Sequence, residues 1–400
     1  MRRSLFGYGV TTKALASSGG WDIYDDSFTK KSNDVFGNKL LPPHEFNPSK
    51  SSLEIPSPGF PPNHHLIKSA LNLQSEYDYF ANQSPCTIWV SGTNGKTTTT
   101  QMITSLLNEQ GAVSGGNIGT PLASLNPLVP IWVLETSSFT MHYTNIAKPD
   151  IYVLLPLRED HINWHGSLSA YIDAKLKPLS MMSSGSVAII PKEYESVPTK
   201  AHLITYEDSK DLANFLKIDL NKIKIKEPFL LNSLLSLTAT YVLNGELNID
   251  KINSFDAGEH KLQELFDKKG RIWVNDSKGT NIDATIEALK RYQDKKIHII
   301  LGGDDKGIPL DRLFEKLKEL NVEVYAIGSN ANKLMEYSEQ FFISATYCGK
   351  LDNAVLKIDS KLQDKEVALL SPAAASLDQF KSYIQRGEKF IKAVNSISSY

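Results

Sequence analysis

Ser91–Thr98, with the sequence SGTNGKTT, follows a short apolar run at residues 86–90 and precedes an amphipathic segment at residues 99–110. This order predicts a β-strand, a glycine-rich loop and an α-helix. Gly92 and Gly95 allow the backbone to pass close to a polyanion and to turn its N–H groups towards it. The helix would add free N–H groups and the positive end of its dipole. The stretch therefore predicts a phosphate-binding loop in an α/β protein.

Two side chains at the end of this loop have the chemistry of a nucleotide site. Lys96 can reach the outer phosphates of a nucleotide, and the Thr97 hydroxyl can bind Mg²⁺. Val90 stands where the common form of such a loop has its first glycine, so the spacing departs from that form. Because a strand is predicted before the loop and a helix after it, a nucleotide site is favoured over a structural turn.

The composition is ordinary for a soluble globular protein and excludes several classes of function. Hydrophobic residues make up 41% and charged residues 22% of 400 residues, a length that suggests about two or three domains. A net charge of −2 and a pI near 6.5 argue against a general nucleic-acid binder, which needs a basic face.

The sequence has two cysteines, Cys86 and Cys348. Both lie in an apolar or strand-like context and show no metal-ligand spacing, and this use of cysteine indicates a reducing compartment. No apolar run approaches the roughly 20 residues of a membrane span, and Met1-Arg2-Arg3 does not begin an export signal. We therefore expect a cytoplasmic protein.

Alternating strand and helix patterns predict mostly parallel α/β sheets. Residues 4–11 predict a strand with a glycine turn, and residues 21–24 a second strand, together half of a dinucleotide-binding fingerprint. Residues 55–62 predict a rigid, proline-rich loop. Further strands are predicted at 86–90, 131–135, 151–155, 186–190 and 202–206, and then at 271–275, 296–301, 322–327 and 367–370. The predicted domains are residues 1–83, 84–257 and 258–400, and the last of these is doubly wound.

Polar side chains follow six of the predicted strands, at the edge where ligands gather in sheets of this kind. Glu135 could hold Mg²⁺ directly or through water. Lys278 and Lys306 each follow a strand and a turn, so we expect them to bind anions. The six polar segments lie at residues 91–98, 135–139, 158–161, 275–281, 302–306 and 371–372.

Other polar residues give weaker indications. His161 and His165 are four residues apart, which could place two imidazoles on one helix face, but the zinc signature HExxH is absent. His161 could instead hold a hard cation, because it follows a strand. Lys175 lies on a predicted helix at residues 168–182 and, judged from its neighbours alone, would be an ordinary exposed lysine.

Together these motifs resemble the Mur ligase family, over residues 85–390 and only weakly before them. Four of the motifs occur across the family: GTNGKTT at 92–98, GNIG at 116–119, ETSSF at 135–139 and EDH at 159–161. Two are close to specific for the branch that adds D-glutamate: NDSKGTN at 275–281 and LSPAAASLDQF at 370–380.

The resemblance implies a fold and a reaction. The fold has three α/β domains: a small Rossmann-like N-terminal domain for a UDP substrate, a central P-loop ATPase-type domain, and a C-terminal Rossmann-like domain for the amino acid. ATP would phosphorylate the carboxylate of UDP-N-acetylmuramoyl-L-alanine, the amine of D-glutamate would attack the acyl phosphate, and phosphate would leave. Such a ligase serves peptidoglycan precursor synthesis, and we expect it to be a monomer.

The resemblance also implies roles for individual residues. Lys96, His161, Lys175 and Lys278 would be catalytic, and Lys175 would react with CO₂ to become a carbamate. Two Mg²⁺ ions are implied, the first held by Thr97 and Glu135 and the second by His161 and the modified Lys175. ATP would contact Gly92, Thr93, Asn94, Gly95, Lys96, Thr97, Thr98, Asn232, Lys261 and Asp276. The UDP substrate would contact Val10, Thr11, Asp25, Asp26, Ser57, Pro58, Gly59 and Asn117. D-Glutamate would contact Thr280, Lys306, Ser376, Leu377 and Tyr383.

Three positions depart from the family pattern. Lys261 stands where arginine is usual, and a lysine cannot form the planar two-point contact that a guanidinium makes with phosphate. Phe229 stands where an asparagine is common near the adenine. Tyr383 stands where a phenylalanine often lines the glutamate pocket.

Four alternative functions are left open. A Mur ligase that adds a diamino acid would carry the strings DYAH and DNPR, which this sequence lacks. Folylpolyglutamate synthase shares the fold and the chemistry but lacks the SLDQF string of residues 376–380. A nicotinamide dehydrogenase is suggested by Gly7-Tyr8-Gly9, but it would leave Lys96 and Thr97 unexplained. A nucleotide-dependent scaffold would bind ATP without turnover.

Overall fold

The structure is a computed structural model that describes residues 2–117, 119–256 and 258–397. Ile118, which belongs to the GNIG motif, and Ala257, at a predicted domain boundary, lie outside the described residues, as do Met1 and residues 398–400. No helix in the described part of the chain is long and apolar enough to cross a membrane.

The chain forms two compact units. The first comprises residues 1–225 and 229–255, and the second comprises residues 226–228 and 256–400. The first unit contains two sheets and the second unit contains one. The division into three domains at residues 83 and 257 therefore stays a prediction.

Five strands form the first sheet within residues 2–56: β1 (Arg2–Phe6), β2 (Trp21–Tyr24), β3 (Ser32–Asn33), β4 (Lys39–Leu41) and β5 (Ser51–Pro56). Their order is β3-β4-β2-β1-β5, and all pairs are parallel except β3 with β4. The helices of this region are α1 (Val10–Ala16), α2 (His65–Ser69) and α3 (Glu76–Phe80). The two predicted strands are confirmed. The loop predicted at 55–62 is wrong at its start, because the buried Ile55 pairs with Leu5 and belongs to β5.

Six parallel strands form the second sheet among the described residues of 86–206: β6 (Cys86–Ser91), β7 (Ala112–Gly116), β8 (Ile131–Glu135), β9 (Ile151–Leu154), β10 (Val187–Pro191) and β11 (His202–Tyr206). Their order is β11-β10-β9-β6-β8-β7. The five predicted strands are confirmed. β7 was not predicted, because its sequence, AVSGG, ends in two glycines and has no run of β-branched residues.

The helices around this sheet are α4 (Lys96–Leu106), α5 (Ser138–Tyr143), α6 (Ile162–His165), α7 (Leu168–Met181), α8 (Ser209–Leu216), α9 (Phe229–Asn244) and α10 (Ile249–Asn253). The helix predicted at 99–110 begins earlier, at Lys96, directly after the glycine loop. Its Met102 and Ile103 are buried and pack in one core with Leu234 and Leu235 of α9. This core fixes α4 beneath the phosphate-binding loop.

Six strands form the third sheet in residues 263–370, all of which are described: β12 (Gln263–Phe266), β13 (Ile272–Asn275), β14 (Ile297–Leu301), β15 (Val322–Ile327), β16 (Ser344–Gly349) and β17 (Val367–Leu370). Their order is β12-β13-β17-β14-β15-β16, and all pairs are parallel except β12 with β13. The helices are α11 (Ile282–Arg291), α12 (Asp311–Lys318), α13 (Ala331–Gln340), α14 (Leu351–Asp359) and α15 (Tyr383–Ile397). The doubly wound prediction is confirmed. The two strands that were not predicted, β12 and β16, are the half-exposed edges.

Candidate functional site

The loop between β6 and α4 has the backbone shape that its glycines predict. Gly92 has a φ of +142° and Gly95 a φ of +81°, in the region that favours glycine. A Cβ atom at Gly92 would lie 2.5 Å from the Cβ of Leu155, and one at Gly95 would lie 2.4 Å from Nδ2 of Asn232. Both positions are therefore closed to any side chain.

Asn232, which the sequence assigned to ATP, braces this loop from α9. Its Nδ2 donates to the Gly95 carbonyl at 3.1 Å and to the Thr99 hydroxyl at 2.9 Å, and the residue is 5% exposed. These two bonds join α9 to the loop and to the first turn of α4. The structure thus gives Asn232 a role in shaping the nucleotide loop.

Lys96 folds back over the loop from the first position of α4. Its Nζ donates to the carbonyl oxygens of Gly92, at 2.9 Å, and Thr93, at 2.8 Å. The ammonium group is therefore held where the loop would surround the phosphates of a nucleotide.

Thr97 and Glu135 form the oxygen-rich part of the site. Thr97 Oγ1 donates to Oε2 of Glu135 at 2.7 Å, and Nδ2 of Asn117 donates to Oε1 of the same carboxylate at 3.0 Å. Glu135 ends β8, next to β6, and is 4% exposed. Hydroxyl and carboxylate oxygens are the donors that Mg²⁺ prefers, with phosphate and water completing its shell. The residues present therefore fit the ion implied for the loop.

Lys175 lies inside the protein, contrary to the expectation from its neighbours alone. It is 2% exposed, because α7 turns it towards the sheet, and its Nζ donates to the Gly92 carbonyl at 2.9 Å. Burial, and then the charge of Lys96, holds the pKa of the Lys175 amine well below its usual value. The exposed-lysine interpretation is wrong, because a buried amine with a lowered pKa lies beside the phosphate-binding loop.

His161 and His165 lie at the two ends of α6, and both imidazole rings lie beside Phe139, at ring-centre distances of 4.6 and 5.8 Å. His161 precedes α6 in the left-handed region, with a φ of 53°, and its side chain is 47% exposed. His165 ends α6, and its Nε2 lies 2.9 Å from Oγ of Ser138. Burial, with smaller effects of neighbouring charges, lowers the pKa of His165 to about 4. In the described residues no group of three or more His, Cys, Asp or Glu side chains is placed to hold a metal ion.

A cavity of about 220 Å³ lies where the first sheet's loops meet the GNIG segment of the second sheet. Four residues that the sequence assigned to the UDP substrate line it: Val10, Thr11, Pro58 and Asn117. Two of its other lining residues, Gly116 and Gly119, belong to the GNIG motif, whereas Glu76, Tyr77, Pro121 and Thr140 were not singled out in the sequence.

The remaining residues predicted for the UDP substrate do not line this cavity. Asp25 accepts the backbone N–H of Tyr8 at 2.7 Å, and Asp26 lies 3.2 Å from His64. Ser57 and Gly59 belong to the turn after β5, beside Pro58. Glu76, which lines the cavity, is 5% exposed, and burial raises the pKa of its carboxyl to about 7.

In the second unit, Asp276 and Lys278 follow β13. Ser371 Oγ donates to Oδ2 of Asp276 at 2.6 Å, and burial raises the pKa of this carboxyl to about 7. The ammonium group of Lys278 lies 6.0 Å from the ring centre of Tyr383. Lys261, assigned to ATP, precedes β12 in the same unit and is half-buried.

Two loops assigned to D-glutamate are joined by backbone hydrogen bonds. Asp304 and Ala375 exchange N–H···O bonds of 2.9 Å, so the loop with Lys306 runs beside the loop with Ser376. Lys306 is exposed, whereas Ser376 is 3% exposed. Thr280 and Tyr383 are half-buried, and Leu377 is 70% exposed.

Arg386 is a site residue that the sequence did not suggest. It is fully buried on α15 and donates to the carbonyls of Ser277 and Ala374 and to the Ser277 hydroxyl. Burial lowers the pKa of its guanidinium to about 10. Arg386 therefore ties the loop after β13 to the loop after β17. An arginine inside a helical pattern gives no sequence signal of this kind.

Comparisons with known proteins cover the whole chain. Residues 90–227 match the family model of the Mur ligase middle domain. The UDP-N-acetylmuramoylalanine–D-glutamate ligase of Campylobacter jejuni subsp. jejuni serotype O:6 is 52% identical over 402 residues, covering 99% of this chain and 100% of the relative. The enzyme of the same name from Helicobacter pylori strain HPAG1 is 45% identical over 415 residues, covering 98% of each chain. In fold, the structure is similar to the MurF ligase of Thermotoga maritima in complex with ADP, with a TM-score of 0.62 at 17% identity, covering 100% of this chain and 96% of that one.

Proposed function

The chain belongs to the Mur ligase family, among the UDP-N-acetylmuramoylalanine–D-glutamate ligases, and we infer that it joins D-glutamate to UDP-N-acetylmuramoyl-L-alanine using ATP. This reaction is a step in peptidoglycan precursor synthesis. The observation that best supports the ATP-driven chemistry is the buried Lys175 amine, 2.9 Å from the Gly92 carbonyl of the phosphate-binding loop. A turn with only a structural role would not require a buried amine next to it.

The reaction proceeds through an acyl phosphate. A carboxylate oxygen of the L-alanine group attacks the γ-phosphorus of ATP, and the bond from that phosphorus to ADP breaks. The D-glutamate amine then attacks the carbonyl carbon, loses a proton, and expels phosphate from the tetrahedral intermediate. Because both reactants of the first step are anions, the protein has to neutralise charge and align them.

The residues around the loop supply that neutralisation. The N–H groups of residues 92–98 face the phosphates, and Lys96 leaves its two carbonyl partners to bind the outer phosphate oxygens. Thr97 and Glu135 would hold a first Mg²⁺, and His161 with a carbamate on Lys175 a second, and these ions would offset the phosphate charge when bound. Lys278 is the fourth residue to which we assign a catalytic role, as the family resemblance implies.

We propose the carbamate because the family resemblance implies it, and the buried amine of Lys175 supports the proposal. A neutral amine attacks the carbon of CO₂, a C–N bond forms, and one amine proton leaves for solvent. The product carries a single negative charge and two oxygens. The protonated amine of Lys175 would repel a cation. The carbamate instead has two oxygens that can bind one.

The substrates are assigned to three parts of the chain. Residues 1–83 bind the UDP substrate with the 220 Å³ cavity at their boundary, residues 84–257 bind ATP, and residues 258–400 bind D-glutamate. In the last of these, Lys306 and Ser376 bind carboxylate oxygens of the amino acid. We propose that the reaction, which uses ATP and a UDP-sugar, takes place in the cytoplasm, and we expect a monomer, which light scattering during gel filtration would check.

Phosphate release tests the assignment. With ATP and UDP-N-acetylmuramoyl-L-alanine, we expect release with D-glutamate and little with L-glutamate, L-lysine or meso-diaminopimelate. A site that pairs with a carboxylate rejects amino acids that leave its polar groups unpaired. Faster release with L-lysine or diaminopimelate would show that the chain has another specificity within the family. Release that no amino acid stimulates would favour a nucleotide-dependent scaffold.

A further inference from the structure

The turn after β5 is held by two side chains from helices of the second sheet. Nε1 of Trp164 on α6 donates to the Gly59 carbonyl at 3.1 Å, and Oη of Tyr143 on α5 donates to the Phe60 carbonyl at 2.6 Å. Gly59 belongs to the segment assigned to the UDP substrate, so this segment is anchored from outside its own sheet.

Trp164 also belongs to a group of rings beside the phosphate-binding loop. The ring of Phe139, from the ETSSF motif, lies 4.6 Å from that of His161 and 4.7 Å from that of Trp164. The backbone N–H of Trp164 donates to the His161 carbonyl at 3.0 Å. Trp164 is thus bonded to the residue proposed as a metal ligand and, through its indole, to the turn proposed for the UDP substrate.

We infer that Trp164 is a positioning residue that couples the binding of the UDP substrate to the placement of His161. The inference rests on the proposed function for the identity of the two ligands. A substrate that orders the turn at Gly59 also fixes the indole of Trp164, and through it the start of α6. The half-exposed side chain of His161 is then restricted to fewer orientations before Mg²⁺ and nucleotide bind. Their binding therefore costs less conformational entropy.

The two anchoring bonds have different consequences. Tyr143 is 4% exposed and lies on α5, which does not carry His161. Removing its hydroxyl takes away one of the two anchors of the turn and weakens UDP-substrate binding, but leaves the turn bonded to α6 through Trp164. Removing the indole N–H of Trp164 separates the turn from α6. Trp164→Phe should therefore abolish the coupling, whereas Tyr143→Phe should preserve it.

Calorimetry measures the coupling without turnover. The Kd of UDP-N-acetylmuramoyl-L-alanine is determined in the presence of a non-hydrolysable ATP analogue, with and without Mg²⁺. In the wild type we expect Mg²⁺ to tighten substrate binding by a factor on the order of 10, within the usual range for linked sites. In Trp164→Phe the factor should fall to about 1, and in Tyr143→Phe it should stay at the wild-type value.

Trp132→Phe is the matched control, because Trp132 also donates its indole N–H to a backbone carbonyl, that of Asn126 at 3.0 Å. It should keep the wild-type factor. A wild-type factor of one, or a wild-type factor retained in Trp164→Phe, overturns the inference while the proposed function stands. A wild-type protein that does not bind the UDP substrate overturns both.

Discussion

The side-chain amines of Lys175 and Lys96 both donate hydrogen bonds to the carbonyl oxygen of Gly92, each at 2.9 Å. Two positive charges that share one carbonyl oxygen repel each other, and Lys175 is the more deeply buried of the two lysines. Burial and the charge of Lys96 accordingly hold the pKa of Lys175 well below its usual value. A lowered pKa favours the neutral form of the amine, which is the form that can react with CO₂.

The first prediction concerns the modification of Lys175. Lys175→Ala should lose nearly all activity, because the variant lacks the carbamate oxygens that would hold Mg²⁺. A short carboxylate such as acetate should enter the vacated space and restore part of the activity, while leaving the wild type unaffected. The measurement is phosphate release as a function of acetate concentration.

Lys177→Ala is the control for this experiment. Lys177 lies on the same helix, but its Nζ donates to Asn145 Oδ1 and the His142 carbonyl, away from the phosphate-binding loop. The control should keep its activity without acetate. A Lys175→Ala enzyme with an unchanged rate would contradict the carbamate.

The second prediction separates binding from chemistry at Lys96. Lys96→Ala should lower kcat by a factor on the order of 10²–10³, because the lost charge acts most strongly on the phosphate oxygens in the transition state. Binding of UDP-N-acetylmuramoyl-L-alanine should persist, since Lys96 does not line the 220 Å³ cavity. Calorimetry that showed no substrate binding would instead indicate a misfolded variant.

The sequence predicted most of the inner strands and missed most of the edges, the exceptions being the predicted edge strand β11 and the unpredicted inner strand β4. Buried parallel strands such as β17 are continuous apolar runs and are easily recognised. β16 is half exposed and β7 is rich in glycine, so neither has such a run. Their positions depend on pairing with a neighbour that is distant in the sequence, and a local pattern does not contain that information.

The same holds for the site: residues of one contiguous motif could be predicted, whereas contacts between residues far apart in the sequence could not. The loop, Lys96 and Thr97 form one contiguous motif, and the structure places them as the motif predicts. The burial of Lys175 could not be read from its neighbours, since it depends on how α7 packs against β6 and β9. Arg386 and Trp164 were not predicted for the same reason, because their hydrogen-bond partners lie about a hundred residues away in the sequence.

The third prediction tests the shape of the loop. Gly95→Ala should weaken ATP binding, because its Cβ would displace Asn232 and break two hydrogen bonds to Gly95 and Thr99. Two such bonds are worth about 1–3 kcal/mol, or roughly 5–150-fold in Kd. Gly245→Ala is the matched control, since Gly245 also has a positive φ, +75°, but its Cβ would meet nothing within 4 Å. Equal ATP binding by the two variants would show that the contact with Asn232 does not matter.

The last prediction concerns the pH dependence of stability and rests on Asp276. Its carboxyl is 8% exposed, and burial raises its pKa from 3.8 in the unfolded chain to about 7. Between these values the folded state binds more protons than the unfolded state, so the free energy of unfolding falls as the pH rises. The loss approaches about 1.4 kcal/mol per pH unit and ends near pH 7, where the folded state also releases its proton.

Asp276→Asn should remove this dependence, because an amide does not titrate and can still accept the hydrogen bond of Ser371. Relative to the wild type, the variant should gain about 2–3 kcal/mol in stability between about pH 5 and pH 8, as measured by urea unfolding. Asp352→Asn, at an exposed position on α14, should show no such gain. If the stability difference between Asp276→Asn and the wild type is the same at both pH values, the Asp276 carboxyl is ionised in the folded protein throughout this range. Hydrogen bonds from Ser371 Oγ and the Leu262 N–H would then outweigh its burial.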